Sequence, residues 1–215
     1  MNEQNQHLDA LQDIRQMMQR SSRFISLSGL SGIAAGIWAL IGAWFAYDWI
    51  YEGKVNNRLS DYEQSGSAFS PTKLGLNLVL LAGAVLAASL VSAFYFTWRK
   101  TARDKVSLWN HSSKMLTLNM VIPLITGGLF ILALIQNNEW RFIAPSCLIF
   151  YGLALVNASK YTVSDIRYLG ICEIVLGLIN TQFIGYGLHF WAIGFGVLHI
   201  IYGFIMWWKY ERKEK

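Results

Sequence analysis

Apolar residues gather along the chain into long runs separated by short polar, basic or glycine-containing breaks: Phe24 to Tyr47, Leu74 to Trp98, Met115 to Ile135, Phe142 to Ser159, Tyr168 to Ile184 and Phe190 to Trp208. A helix needs about 20 such residues to cross roughly 30 Å of hydrocarbon. The pattern therefore predicts an all-α polytopic membrane protein with six transmembrane helices in a bundle. Its least marked break is GYGLH, Gly185 to His189. Without it the last two runs would merge into about 40 residues, roughly twice what a bilayer accommodates at about 1.5 Å per residue, so a tight glycine hairpin is expected there.

Ahead of the first run, residues 1–22 place apolar side chains at Leu8, Leu11, Ile14 and Met18 among charged and amide residues. That spacing predicts an N-terminal amphipathic helix, lying either against the inner headgroups or as a docking face for a cytoplasmic partner. The domain reading is then a cytoplasmic helix (1–22), the six-span bundle (23–208) and a basic cytoplasmic tail (209–215). The first apolar run follows a polar, acid-containing stretch and is too long for the core of a signal peptide, so it is expected to remain in the mature protein. Between Glu52 and Lys73 the chain is rich in Asn, Ser, Gly and Asp, which predicts a solvated outer loop.

Composition agrees with the pattern: 54% of residues are hydrophobic and only 14% charged, far from the balance of a soluble domain. The excess of basic residues sets the orientation. With the N-terminus inside, 14 of the 18 Lys and Arg residues fall in cytoplasmic segments, leaving Lys54, Arg58, Lys73 and Arg141 outside. Both termini are thus expected in the cytoplasm. The basic balance needs no nucleic acid to explain it, since no basic run is interleaved with aromatics. Trp44, Tyr47, Trp49 and Tyr51 at one end, and Trp98, Trp207, Trp208 and Tyr210 at the other, suit interfacial belts. The partners expected are the bilayer itself and a cytoplasmic protein. Rows of small residues, Ser28/Gly32/Gly36 and Ala35/Ala39/Ala43, suit close packing either within the chain or to a second copy in a homodimer.

The residue that stands out is Glu173, in YLGICEIVLGLIN. Thr162 followed by Asp165 predicts a capped helix start, with the fifth helix beginning at Val163 and entering lipid near Tyr168, which puts Glu173 roughly 7 to 8 Å below the inner interface. Gly170, Glu173, Gly177 and Asn180 fall on one face, a small and polar stripe that should meet protein. At a similar depth on other spans lie Ser28 and Ser31, Ser89 and Ser92, Thr117 and Asn119, and Tyr202, with Asn157 nearer the surface. A candidate polar site of Glu173, Tyr202, Asn119, Ser28, Ser31 and Asn157 follows. No basic residue is counted at that depth, which favours a protonated acid held by hydrogen bonds, or one reaching back to the interface.

No metal or haem site is expected: His189 and His199 differ by roughly 15 Å in height on one helix, and His7 and His111 fall in cytoplasmic segments. Cys147 and Cys172 lie inside spans and make no disulfide framework or CxxC pair. Common catalytic motifs are missing, so no catalytic residues and no cofactor are assigned. The segments SSRFISLSGLSGIAAGIWALIGA (Ser21 to Ala43) and YGLALVNASKYTVSDIRYLGICEIVLGLI (Tyr151 to Ile179) resemble a family of multi-span inner-membrane proteins of Bacteroidetes-type bacteria with no assigned activity. The resemblance implies the location, and the coding of such proteins beside a small winged-helix regulator implies a regulatory role. Function is thus expected to be that of a non-catalytic sensor or regulatory partner. Alternatives are a small-solute or proton-coupled transporter using Glu173, an enzyme of unrecognised type, or a purely structural bundle.

Overall fold

The computed structural model describes residues 28–60, 73–103 and 111–212. The helix expected over 1–22, residues 61–72 of the outer loop and the last three residues of the tail lie outside them. Every regular element among the described residues is helical: α1 (Gly29–Ser60), α2 (Lys73–Arg103), α3 (His111–Gln136), α4 (Ile143–Ala158), α5 (Ile166–Gln182) and the long α6 (Gly187–Glu211). A single 3₁₀ turn, Trp140–Phe142, leads into α4. Within α6 the segments Ala192–Leu198 and Trp207–Glu211 widen to π-helix. Among the described residues five helices are long and apolar enough to cross a membrane.

Helix α4 counts among them together with its leading 3₁₀ turn, as the 19 residues Trp140–Ala158; the exception is α5, whose 17 residues reach about 25 Å. It is also the helix that carries Glu173. Two boundaries differ from the sequence reading. The outer loop was expected from Glu52, but α1 runs on to Ser60, because a hydropathy pattern marks where lipid ends and not where the backbone stops being helical. Nor does α5 start at Val163 with Thr162 as its cap. It starts at Ile166, and Asp165 makes no capping bond because its carboxylate is occupied by Lys209 (2.6 Å) and the Tyr210 hydroxyl (2.9 Å). The turn between α5 and α6 does fall in GYGLH, with Gly185 at φ 103°, a conformation glycine adopts without strain.

Helices α1 and α6 form one seam and α4 and α5 another, with α4 and α5 also touching α6. Outside them, α2 packs on α1 and α3 on α4. Both seams close at backbone level. A Cβ on Gly203 would lie 2.7 Å from the Gly29 carbonyl, and one on Gly170 would lie 2.7 Å from that of Gly152. Such proximity gives helices in lipid the van der Waals contact on which their association rests. Gly32 and Gly36 face α6, so the Ser28/Gly32/Gly36 row is used inside the chain. By contrast, α2 and α3 expose Leu80, Leu90, Val91, Leu118, Ile125 and Leu129. Apolar faces this extensive would be untenable in water and suit a hydrocarbon solvent.

Candidate functional site

The stripe on α5 faces inward: Gly170, Glu173, Gly177 and Asn180 are all buried, and Glu173 is 0% exposed. Glycines at 170 and 177 let α4 approach so closely that the carboxylate between them is walled by Leu148 of α4 and by α6. The hairpin pairs α5 and α6 in a fixed antiparallel register. A Cβ on Gly194 would meet Glu173 Oε2 at 2.5 Å, and one on Gly187 would meet Asn180 Oδ1 at 3.9 Å. These two buried polar side chains of α5 thus each sit over a glycine of α6, at the same seven-residue spacing on both arms.

The neighbour of Glu173 is His199, whose Nδ1 lies 3.4 Å from Glu173 Oε1. The sequence reading found no basic group deep enough to pair with Glu173, and here it is corrected. Depth was counted from Tyr168, but the helix begins at Ile166, which makes Glu173 the eighth of 17 residues in α5. Counted from Gly187, His199 is the thirteenth of 25 in α6. Both are therefore at mid-helix. His199 follows the π segment directly, and π-helical turns re-aim side chains and recur at functional sites. Its Nδ1 is 3.0 Å from the Gly194 carbonyl and its Nε2 is 2.7 Å from the Tyr151 hydroxyl of α4. The imidazole also stacks on Phe195, with ring centroids 5.8 Å apart. Three helices thus meet through one carboxylate, one imidazole and one phenol.

Of the five residues predicted to accompany Glu173, none is hydrogen-bonded to it. Tyr202, one turn beyond His199, packs against Leu155, Ile166 and Leu169. Asn157 donates to the Asn119 carbonyl at 3.1 Å, while Asn119 donates to its own helix at Met115; this pair ties α3 to α4. Ser31 donates to the Ser28 carbonyl at the start of α1, about two turns along α6 from His199, where Gly29 packs on Gly203 and Trp207. The polar layer is therefore dispersed: equal counts from helix ends fix neither the tilt nor the register of neighbouring helices. Among the described residues four buried side-chain oxygens, both of Glu173, Asn180 Oδ1 and Tyr202 Oη, lack a hydrogen-bond partner. His199 and Tyr151 were missed. The signal for them was present in the mid-run positions of a histidine and a carboxylate on consecutive spans.

A second buried polar group closes the other end of α6. Glu211 accepts the backbone N–H of Gly29 at 2.7 Å and lies 3.6 Å from Lys100 Nζ. A carboxylate at a helix N-terminus satisfies a donor with no intrahelical partner and complements the helix dipole.

Among the described residues no cluster of three or more His, Cys, Asp or Glu side chains could hold a metal ion, and Cys147 and Cys172 are free. Comparison with known proteins finds no matching family model, no matching curated protein and no matching solved structure.

Proposed function

We propose that the chain spans the bacterial inner membrane six times with both termini in the cytoplasm, and that it is a non-catalytic sensor or regulatory partner. The observation that carries this reading is the polar centre of Glu173, His199 and Tyr151 shared by α4, α5 and α6. An ionisable group inside a membrane bundle is costly to keep and marks function by default. Here it joins three helices and is closed to solvent, so a change of state in it acts by altering how those helices pack. Helix α5 then counts as the sixth span, short for the bilayer and accommodated by local thinning. The readout would be the cytoplasmic surface formed by the N-terminal segment, the residues around Arg99 to Lys114 and the basic tail. The test is capture of a soluble partner by the full chain in detergent. Binding that is lost on deleting residues 2–19, and altered by Glu173→Gln, supports the reading. Binding indifferent to both changes contradicts it.

One feature supports a second reading, proton-coupled transport of a small solute: carboxylate, imidazole and phenol all exchange protons and lie next to one another. Proteoliposomes would then show a pH-driven flux that Glu173→Gln abolishes. Flux unchanged by that substitution would exclude a transport role for the residue.

A further inference from the structure

The two faces of the His199 ring settle where its hydrogens lie. Nδ1 is approached by two acceptors, the Gly194 carbonyl at 3.0 Å and Glu173 Oε1 at 3.4 Å. A carbonyl can only accept, so Nδ1 carries a hydrogen, directed at Gly194 and not at the carboxylate. Among the described residues Nε2 has the Tyr151 hydroxyl as its hydrogen-bond partner, at 2.7 Å. With Nε2 unprotonated, Tyr151 donates to it and the ring is fully satisfied as a neutral imidazole. Were Nε2 protonated, it would donate to Tyr151, whose own hydrogen would need a further acceptor. A charge-assisted N–H to carboxylate bond would close to about 2.7–2.9 Å, shorter than the contact found.

From this we infer that Glu173 and His199 form a buried one-proton site: the ligand is a proton held on the Glu173 carboxyl, with a neutral His199 beside it. A carboxylate facing a neutral ring would be an unpaired charge in an apolar bundle, whereas the acid leaves the centre uncharged. The facing titratable groups are Tyr151 from α4 and His199 from α6, with Tyr202 one turn away. On the far side of α6, α1 presents Gly32 and Gly36; its Tyr47 packs instead on His189, near the start of α6. Loss of the proton leaves a carboxylate beside Nδ1–H, which then moves from the Gly194 carbonyl to Oε1. That carbonyl belongs to the π segment Ala192–Leu198, so proton occupancy changes a side-chain bond to the backbone of α6. The inference deepens the sensory reading by naming what is sensed.

The test is infrared spectroscopy and ¹⁵N-histidine NMR on the full chain in lipid nanodiscs near neutral pH. The site predicts a protonated-carboxyl C=O band that is lost in Glu173→Gln and shifted in His199→Gln. It also predicts a neutral His199 protonated at Nδ1, whose Nε2 resonance shifts in Tyr151→Phe. If Glu173→Gln does not fold, ¹³C-glutamate labelling of the unmutated chain must shift the same band, and the band must remain in a Glu211→Gln variant, which removes the other glutamate buried among the described residues. Absence of the band, its persistence in Glu173→Gln, or an imidazolium signal from His199 would overturn the proposal. These spectra read the proton alone, so they can fail while partner capture succeeds, and the reverse.

Discussion

The Tyr151 hydroxyl is hydrogen-bonded to Nε2 of the buried His199 imidazole, whereas Tyr202 Oη, one turn along α6, has no partner among the described residues. Removing one half of a buried hydrogen bond costs about 1–3 kcal/mol, while removing an unsatisfied group costs little. Tyr151→Phe is therefore expected to lower the thermal stability of the detergent-solubilised chain by that amount, and Tyr202→Phe to leave it level or raise it. Equal losses would contradict the assignment of the two hydroxyls. Asp165, just before α5, makes a separate prediction. Partial burial would raise its pKa, but hydrogen bonds from Lys209 and Tyr210 and the Lys209 charge outweigh that and hold it below the usual carboxylate range. A pKa lower in the folded than in the unfolded state adds stability above the unfolded value, which is lost as pH falls through the folded one. Acid unfolding followed by tryptophan fluorescence should thus lose this contribution below the ordinary carboxylate range, and Asp165→Asn should remove that part of the slope. At this scale the inward face of Glu173 was legible, because the small and polar stripe repeats at helical spacing. Its partner was not, because a pattern on one helix contains no register to the next.

Helix seams show the same division between what composition records and what it leaves out. The small residues of α1 announced a close approach, yet only the fold shows that the approach is to α6, through Gly29 and Gly203. A Cβ at Gly203 would collide with backbone, 2.7 Å from both the Gly29 carbonyl and Ile33 N, whereas Gly83 and Gly128 have open space within 4 Å. Gly203→Ala is expected to destabilise by about 1–3 kcal/mol through overpacking. The same change at Gly83 or Gly128 should be neutral or favourable, given the poor helix propensity of glycine. Thermal unfolding of the three variants in one detergent decides it. Equal effects would mean that the α1–α6 seam is not the close one. The continuation of α1 to Ser60 escaped prediction for a different reason: polar residues end an apolar run without ending a helix.

At the scale of the molecule, apolar runs sufficed for an all-helical bundle suited to a membrane, because each helix must bury or present to lipid a length set by the bilayer. Orientation rests on the distribution of Lys and Arg, and it predicts that reporter fusions after Trp98 and after Lys215 report cytoplasm while one after Ser65 reports periplasm. A periplasmic signal at Lys215 would remove one span, with the short α5 the first to suspect. What no run of hydropathy contained is that the consecutive helices α5 and α6 place a carboxylate and an imidazole together in the interior, closed by Tyr151 of α4. That centre is tested most directly by a double-mutant cycle on the thermal unfolding of the full chain in nanodiscs, with Glu173→Ala, His199→Ala and the pair. Groups in contact couple by about 0.5–3 kcal/mol, while independent ones add to within about 0.3–0.5 kcal/mol. Coupling in the first range is predicted, and simple additivity would contradict the polar centre described.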